Sequence, residues 1–195
     1  MINQRIQIAV FTAIEVITLV AWLAIALAAA DIYSSILAGD VLIVGFIIEH
    51  IIAYNVINNR NLLDLRKVPI AQKVVVSVIE TTIWILWLIL AGVDTFDIFD
   101  ALIAAVVLAS LLIVEHTLSD NVFKHKRLFE RLTDKRTVIF SIIESSGAAI
   151  WLALAQADLG VFGIIVLAAA SFVEHTMAVD LGRKQDLTKG ANLDK

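Results

Sequence analysis

The sequence has no cysteine, a single proline (Pro69) and only eight glycines among 195 residues. Without cysteine there are no disulfides, no thiolate metal sites and no iron–sulfur clusters. There is no glycine-rich phosphate loop, no nucleophile elbow and no HExxH pair, so the familiar nucleotide, serine-hydrolase and zincin chemistries have no foothold. No haem is expected, because bis-histidine ligation needs paired axial histidines and the three equivalent histidines here each sit beside a glutamate. A retinal Schiff base would need an intramembrane lysine, and none stands near the middle of an apolar block. Charge is also scarce. Only 17% of residues are charged, against roughly 25% in an ordinary soluble domain.

What the chain does contain is apolar surface. It is 60% hydrophobic with a mean hydropathy of +0.90. The apolar residues form six blocks, at about 6–30, 36–57, 70–93, 98–123, 138–158 and 161–181. Each reaches the ~20 residues that a helix needs to cross a bilayer core of about 30 Å. Helices are the expected solution, because lipid offers no partner to backbone N–H and C=O groups. Barrel strands would alternate in polarity, and these blocks do not. The sequence thus predicts an all-α integral membrane protein of six transmembrane helices, forming one domain over 1–195 with a polar cytoplasmic tail at 184–195. The first block does not read as a cleavable signal peptide, since it is long and carries Glu15 in its middle.

All fifteen Lys and Arg lie to one side of this arrangement: Arg5 before span 1, Arg60 to Lys73 between spans 2 and 3, Lys124 to Arg136 between spans 4 and 5, and Arg183 onwards after span 6. The other connections carry only Asp31, Asp94, Asp97 and Asp158 as charges. The positive-inside rule then predicts a multi-pass protein of the cell membrane with both termini in the cytoplasm. The basic 124–136 stretch has this topological explanation, so no nucleic-acid partner is expected; the lipid bilayer is.

The polar residues inside the blocks repeat. The odd spans read "TAIEVITLVAW", "SVIETTIWILW" and "SIIESSGAAIW", aligning Thr12, Ser77 and Ser141, then Glu15, Glu80 and Glu144, then Trp22, Trp87 and Trp151. The even spans read "EHIIAYN", "EHTLSDN" and "EHTMAVD", aligning Glu49, Glu115 and Glu174, then His50, His116 and His175, then Asn55, Asn121 and Asp180. Six of the seven glutamates and three of the four histidines occupy these positions. The unit is a two-helix hairpin of about 60–65 residues, with repeats at about 6–60, 70–124 and 137–183. An even number of spans repeats in one orientation, so three units predict a bundle with pseudo-threefold symmetry about the membrane normal.

At about 1.5 Å per helical residue, all six Glu and three His fall in one layer in the cytoplasmic half of the membrane. The Ser/Thr stands one turn below each odd-span Glu and could hold its carboxylate; the Trp stands two turns above and could close the site from outside. The Asn/Asp trio at the cytoplasmic rim suits either an ion-entry vestibule or interfacial capping, the latter slightly better. Adjacent Glu and His diverge by about 100°, so each hairpin can serve two neighbouring subsites. On translocon scales six unpartnered carboxylates would cost on the order of 15–20 kcal/mol, at about 2.5–3.5 each. No Lys or Arg is expected at this depth, so either the carboxyls are protonated or cations supply the charge. The expected ligands are Glu15, Glu49, His50, Glu80, Glu115, His116, Glu144, Glu174 and His175, with Thr12, Ser77, Ser141, Trp22, Trp87 and Trp151 supporting them.

Imidazole with carboxylate and no thiolate suits Fe, Mn, Zn or Cu, and about two or three such transition-metal ions would balance the layer. Carboxylate-bridged di-iron bundles share these ligand types but use Glu-x-x-His. A metal-free proton network and structural polar glue are the alternatives. The functions to weigh are a membrane metal-dependent oxidoreductase exchanging electrons with a quinone or a membrane protein partner, a divalent-metal or proton transporter, and a metal-binding accessory subunit. Transporters favour two repeats and broken helices; one proline and few glycines argue for continuous ones, with Gly147 the one weak point.

Overall fold

The computed structural model describes residues 4–29, 31–58, 60–62, 64–65, 68–91, 98–123 and 135–193, with side chains left out at 98–101, 119–123 and 181–193. Six helices account for nearly all of it: α1 Gln4–Ala28, α2 Ile32–Ile57, α3 Ile70–Ala91, α4 Ile98–Phe123, α5 Lys135–Gln156 and α6 Gly160–Leu193. No strand occurs among the described residues. Five helices are long and apolar enough to cross a membrane, and α4 adds a shorter apolar stretch at Leu102–Leu118. Large apolar side chains also point outward, among them Ile17, Ile89, Val106 and Val161, each about two-thirds exposed or more. Helices apolar on both faces are built for a core on one side and lipid on the other.

Each helix packs on its successor, and α6 packs back on α1, so the six close into a ring. The three-residue links at 29–31 and 157–159 force antiparallel neighbours. Both links use an aspartate. The Asp31 carboxylate accepts from the Ser34 N–H at 2.8 Å and the Ser34 hydroxyl at 2.7 Å, capping α2. Those bonds, the backbone one first, hold its carboxyl below the usual carboxylate value. Asp158 turns the chain in the left-handed region, at φ 59°, which Asp tolerates better than most non-glycine residues.

Two apolar clusters bracket the bundle's interior. The larger, on the side of the Glu/His layer away from the termini, holds Leu19, Leu42, Phe46, Leu108, Leu112, Leu152 and Leu167 with all four tryptophans. The smaller lies on the opposite side of the layer and comes from α1, α2 and α6 alone: Ile8, Phe11, Ile52, Val56 and Val179.

Two expectations, on Lys73 and Gly147, need correction. Lys73, assigned to the basic connection, is a fully buried residue in the first turn of α3. Its stem lies within the bundle while its ammonium rests 4.5 Å from the centroid of the Tyr54 ring, a cation–π seat that lets a charge tolerate this position. α6 continues to Leu193, past the end of its apolar span at Asp180; Leu, Arg, Lys and Gln propagate a helix without needing lipid. Gly147 is no weak point. α5 is continuous through it, and the space a Cβ would fill is taken by Ala170 on α6. It permits a close α5–α6 approach of the small-residue kind common between membrane helices.

Gly147→Val should therefore destabilise the bundle by about 1–3 kcal/mol through overpacking, read as a lower melting temperature in detergent; an unchanged melt would show that α5 and α6 do not approach this closely.

Candidate metal centre

The predicted layer assembles into one cavity. All nine expected ligands line it: Glu15 from α1, Glu49 and His50 from α2, Glu80 from α3, Glu115 and His116 from α4, Glu144 from α5, and Glu174 and His175 from α6. Its volume is about 110 Å³. The six glutamates are each at least nine-tenths buried.

Helix geometry makes the convergence. Each even-span His leaves its own hairpin and reaches the first helix of the next. His50 Nε2 lies 3.5 Å from Glu80 Oε2, His116 Nε2 lies 3.4 Å from Glu144 Oε2, and His175 Nε2 lies 3.4 Å from Glu15 Oε2. The neighbouring Glu on the same helix also approaches: Glu115 stands 3.5 Å from His116 Nε2, and Glu174 stands 3.1 Å from His175 Nε2. The first hairpin departs here, since Glu49 Oε2 is on the Nδ1 side of His50, at 3.6 Å.

The other ring nitrogen is held by the predicted hydroxyls. His50 Nδ1 lies 2.9 Å from Ser77 Oγ, His116 Nδ1 lies 2.9 Å from Ser141 Oγ, and His175 Nδ1 lies 2.8 Å from Thr12 Oγ1. This corrects the expectation that the hydroxyl holds its own helix's carboxylate. A residue one turn below the Glu and about 60° around faces the adjacent even helix, where the imidazole arrives. His50 Nδ1 also sits 2.9 Å from the Phe46 carbonyl. A carbonyl only accepts, so in neutral His50 the proton belongs on Nδ1 and the Nε2 lone pair faces Glu80. The hydroxyls of Ser141 and Thr12 can accept from Nδ1–H in the same way.

Lone pairs therefore face carboxylate oxygens. Glu15 Oε2, Glu80 Oε2, Glu115 Oε1 and Glu144 Oε2 are buried and have no hydrogen-bond partner. One ligand atom each from Glu49, His50 and Glu80 lies within 4.8 Å of the others, close enough to share an ion. The donor set is imidazole and carboxylate, suited to borderline divalent metals.

Trp22, Trp87 and Trp151 are buried in the larger apolar cluster and are not among the cavity's lining residues. Trp84 belongs with them and was not anticipated: its ring meets Trp87 edge-on at 5.4 Å and Trp22 at 6.3 Å. Phe11 and Phe140 were also missed. Each packs on the imidazole that reaches its helix, Phe11 at 3.8 Å from His175 and Phe140 at 5.1 Å from His116. The signal was present, since both immediately precede the Ser/Thr of the repeat, where the remaining copy has Val76. Of the rim trio, Asn55 is fully buried and its Nδ2 donates to the Leu62 and Asp64 carbonyls at 2.9 and 3.2 Å, tying down the α2–α3 connection. Asp180 is exposed, and the Asn121 side chain lies outside the described residues.

No protein-family model matches the chain, and neither a curated protein nor a solved structure was found to resemble it. The functional reading therefore rests on the site itself.

Thr12→Val should cost about 1–3 kcal/mol by leaving buried His175 Nδ1 without its partner, whereas Thr12→Ser should melt close to wild type. Equal melting of the two variants would show that the hydroxyl is not engaged.

Proposed function

We propose that this chain is an integral membrane metalloprotein. Its Glu/His layer holds about two or three transition-metal ions of the Fe, Mn, Zn or Cu class in the cytoplasmic half of the bilayer. Three tandem hairpins around a pseudo-threefold axis build that layer, with both termini in the cytoplasm. The observation that carries the reading is the facing of His Nε2 on Glu Oε2 at 3.4–3.5 Å in all three hairpin junctions, in a cavity whose carboxylate oxygens include four without hydrogen-bond partners. Two acceptors at that distance repel unless something positive joins them. A proton would serve for one pair. Nine convergent donors suit bridging cations better, because carboxylates between imidazole-bound ions share their charge.

Nδ1 anchoring is the support that metal-binding histidines require. It fixes the tautomer, sets the ring orientation and makes Nε2 a better donor. The ligands stand on continuous helices packed in a closed ring, which suits a rigid resident site. Transport by alternating access would call for a discontinuous helix at the binding depth, and α1, α2, α3, α5 and α6 run unbroken past it. With borderline metals in a fixed multinuclear site, redox chemistry is the activity this geometry serves best. Electrons would come from a quinone or a protein partner at the membrane.

The purified protein should carry about two or three equivalents of a transition metal by elemental analysis. Replacing His116 with Ala should lower that content, and chelation should lower the melting temperature, since the ions bind the folded state. A protein that takes up no metal after reconstitution with each candidate ion would leave the proton network as the reading.

A further inference from the structure

The nine ionisable residues come from all six helices. Among the described residues, Phe11, Ala53, Ile57, Ala178 and Val179 line the rest of the cavity, and they belong to α1, α2 and α6. Their positions show where the cavity goes. Ala53 lies four residues after Glu49 and Ala178 four after Glu174, one turn from the layer towards the end of the bundle where both termini lie. Ile57 is the last residue of α2, roughly 12 Å beyond Glu49 at about 1.5 Å per residue. Ala53, Ile57 and Ala178 are each only half-buried. Along α2 and α6 the cavity thus extends beyond the layer over half-buried positions.

The α2–α3 sector is built differently. The position of Ile8 on α1 is matched by Lys73 on α3, whose ammonium covers the Tyr54 ring. Neither Lys73 nor Tyr54 lines the cavity. Among the described residues, the passage beyond the layer carries no charged or hydrogen-bonding side chain.

That lining selects what can travel. A hydrated cation or a carboxylate substrate crosses it slowly, because it sheds water at a cost of several kcal/mol. A small neutral molecule pays no such penalty. Size narrows the class further. The whole cavity is about 110 Å³, below the roughly 150 Å³ of an engineered cavity that admits benzene. A quinone ring does not fit beside the ligands; a diatomic molecule does.

We propose that the passage over Ala53, Ile57 and Ala178 admits dioxygen to the Glu/His layer, where ferrous ions reduce it to hydrogen peroxide. This rests on the metal reading above. The step balances with two ferrous ions each losing one electron, and one dioxygen gaining two electrons and two protons to give one hydrogen peroxide and two ferric ions. Electrons that restore the ferrous state reach the ions through the protein rather than by a quinone seated in the cavity.

The test loads the full-length protein in detergent with ferrous iron under anaerobic conditions and mixes it with air-saturated buffer. Loss of ferrous ion and appearance of peroxide are followed in time. Ala53→Leu and Ala178→Leu should bind the wild-type amount of iron and oxidise it about tenfold more slowly or worse. Their rates should stay proportional to dioxygen concentration over a wider range, as expected when access limits. Ile57→Trp, two turns from the ligands, should do the same without touching them, and Ile57→Ala should oxidise at least as fast as wild type. Full iron content with wild-type rates in all three narrowing variants overturns the passage and leaves the metal reading standing. Iron that binds but is inert to dioxygen in the wild type overturns the assignment of dioxygen. A wild-type protein that binds no iron or other transition metal overturns the metal reading, and the passage with it.

Discussion

The hydrogen bond from each imidazole Nδ1 to a hydroxyl on the following hairpin is the contact on which the rest of the arrangement depends. It joins His50 to Ser77, His116 to Ser141 and His175 to Thr12. The last spans 163 residues of sequence and ties the final helix to the first. Lipid supplies no hydrophobic force to hold apolar helices together, so polar contacts and close packing carry the specificity of association. These bonds do so at one depth and in one sense around the ring. By engaging Nδ1 they also leave each Nε2 turned inward. The bonds that set the helix order therefore also orient the ligands.

The same layer sets the largest electrostatic demand in the molecule. Apolar clusters lie on both sides of it, so its carboxylates cannot be solvated along most of their surroundings. In such a medium charges interact far more strongly than in water. A site of this kind stays ordered only if protons or cations occupy it in a defined number. The buried oxygens lacking hydrogen-bond partners mark where the protein's own groups stop satisfying that demand. Lys73 acts on the layer from beside it, its charge interacting with Glu49. It stands about 10 Å along α3 from Glu80 at about 1.5 Å per residue, seated on Tyr54.

Much of this was legible in the sequence because membrane helices make polar residues conspicuous. "EH" recurring in three apolar blocks, each matched to Ser/Thr-x-x-Glu, gave depth and periodicity together. The nine cavity-lining ionisable residues and the three hydroxyls follow from those two facts. Period alone left open which neighbour a side chain would meet. Ser77 lies as near in sequence to Glu80 as a hydrogen bond requires, and only the packing of α2 on α3 shows that it meets His50 instead. Lys73 was hidden by its charge, since a basic residue at a span's edge reads as loop until a partner such as Tyr54 is seen. Trp84, Phe11 and Phe140 were hidden for the opposite reason: an aromatic residue in an apolar block carries no contrast. Gly147 looked like a flexible point because a sequence does not show that Ala170 occupies the space beside it.

The repeat is close in the ligand layer and loose one turn below it, and the difference has a physical logic. Equivalent groups are what the proposed multinuclear site needs, because ions of one kind want similar donors. Access needs the reverse. Three equal openings would admit water to a layer whose interactions depend on a low dielectric. At the positions of Ile8 and Lys73 the three copies read Ile8, Lys73 and Thr137, and each is buried. Lys73 packs its sector with a long stem and an aromatic cover. On the α6–α1 side, Ile8 and Val179 are joined by Phe11, Ile52 and Val56 in one small apolar cluster. Beside that cluster the small side chains of Ala53 and Ala178 line the cavity. On the proposed reading, a narrow apolar lining over these alanines favours small neutral molecules over hydrated ions.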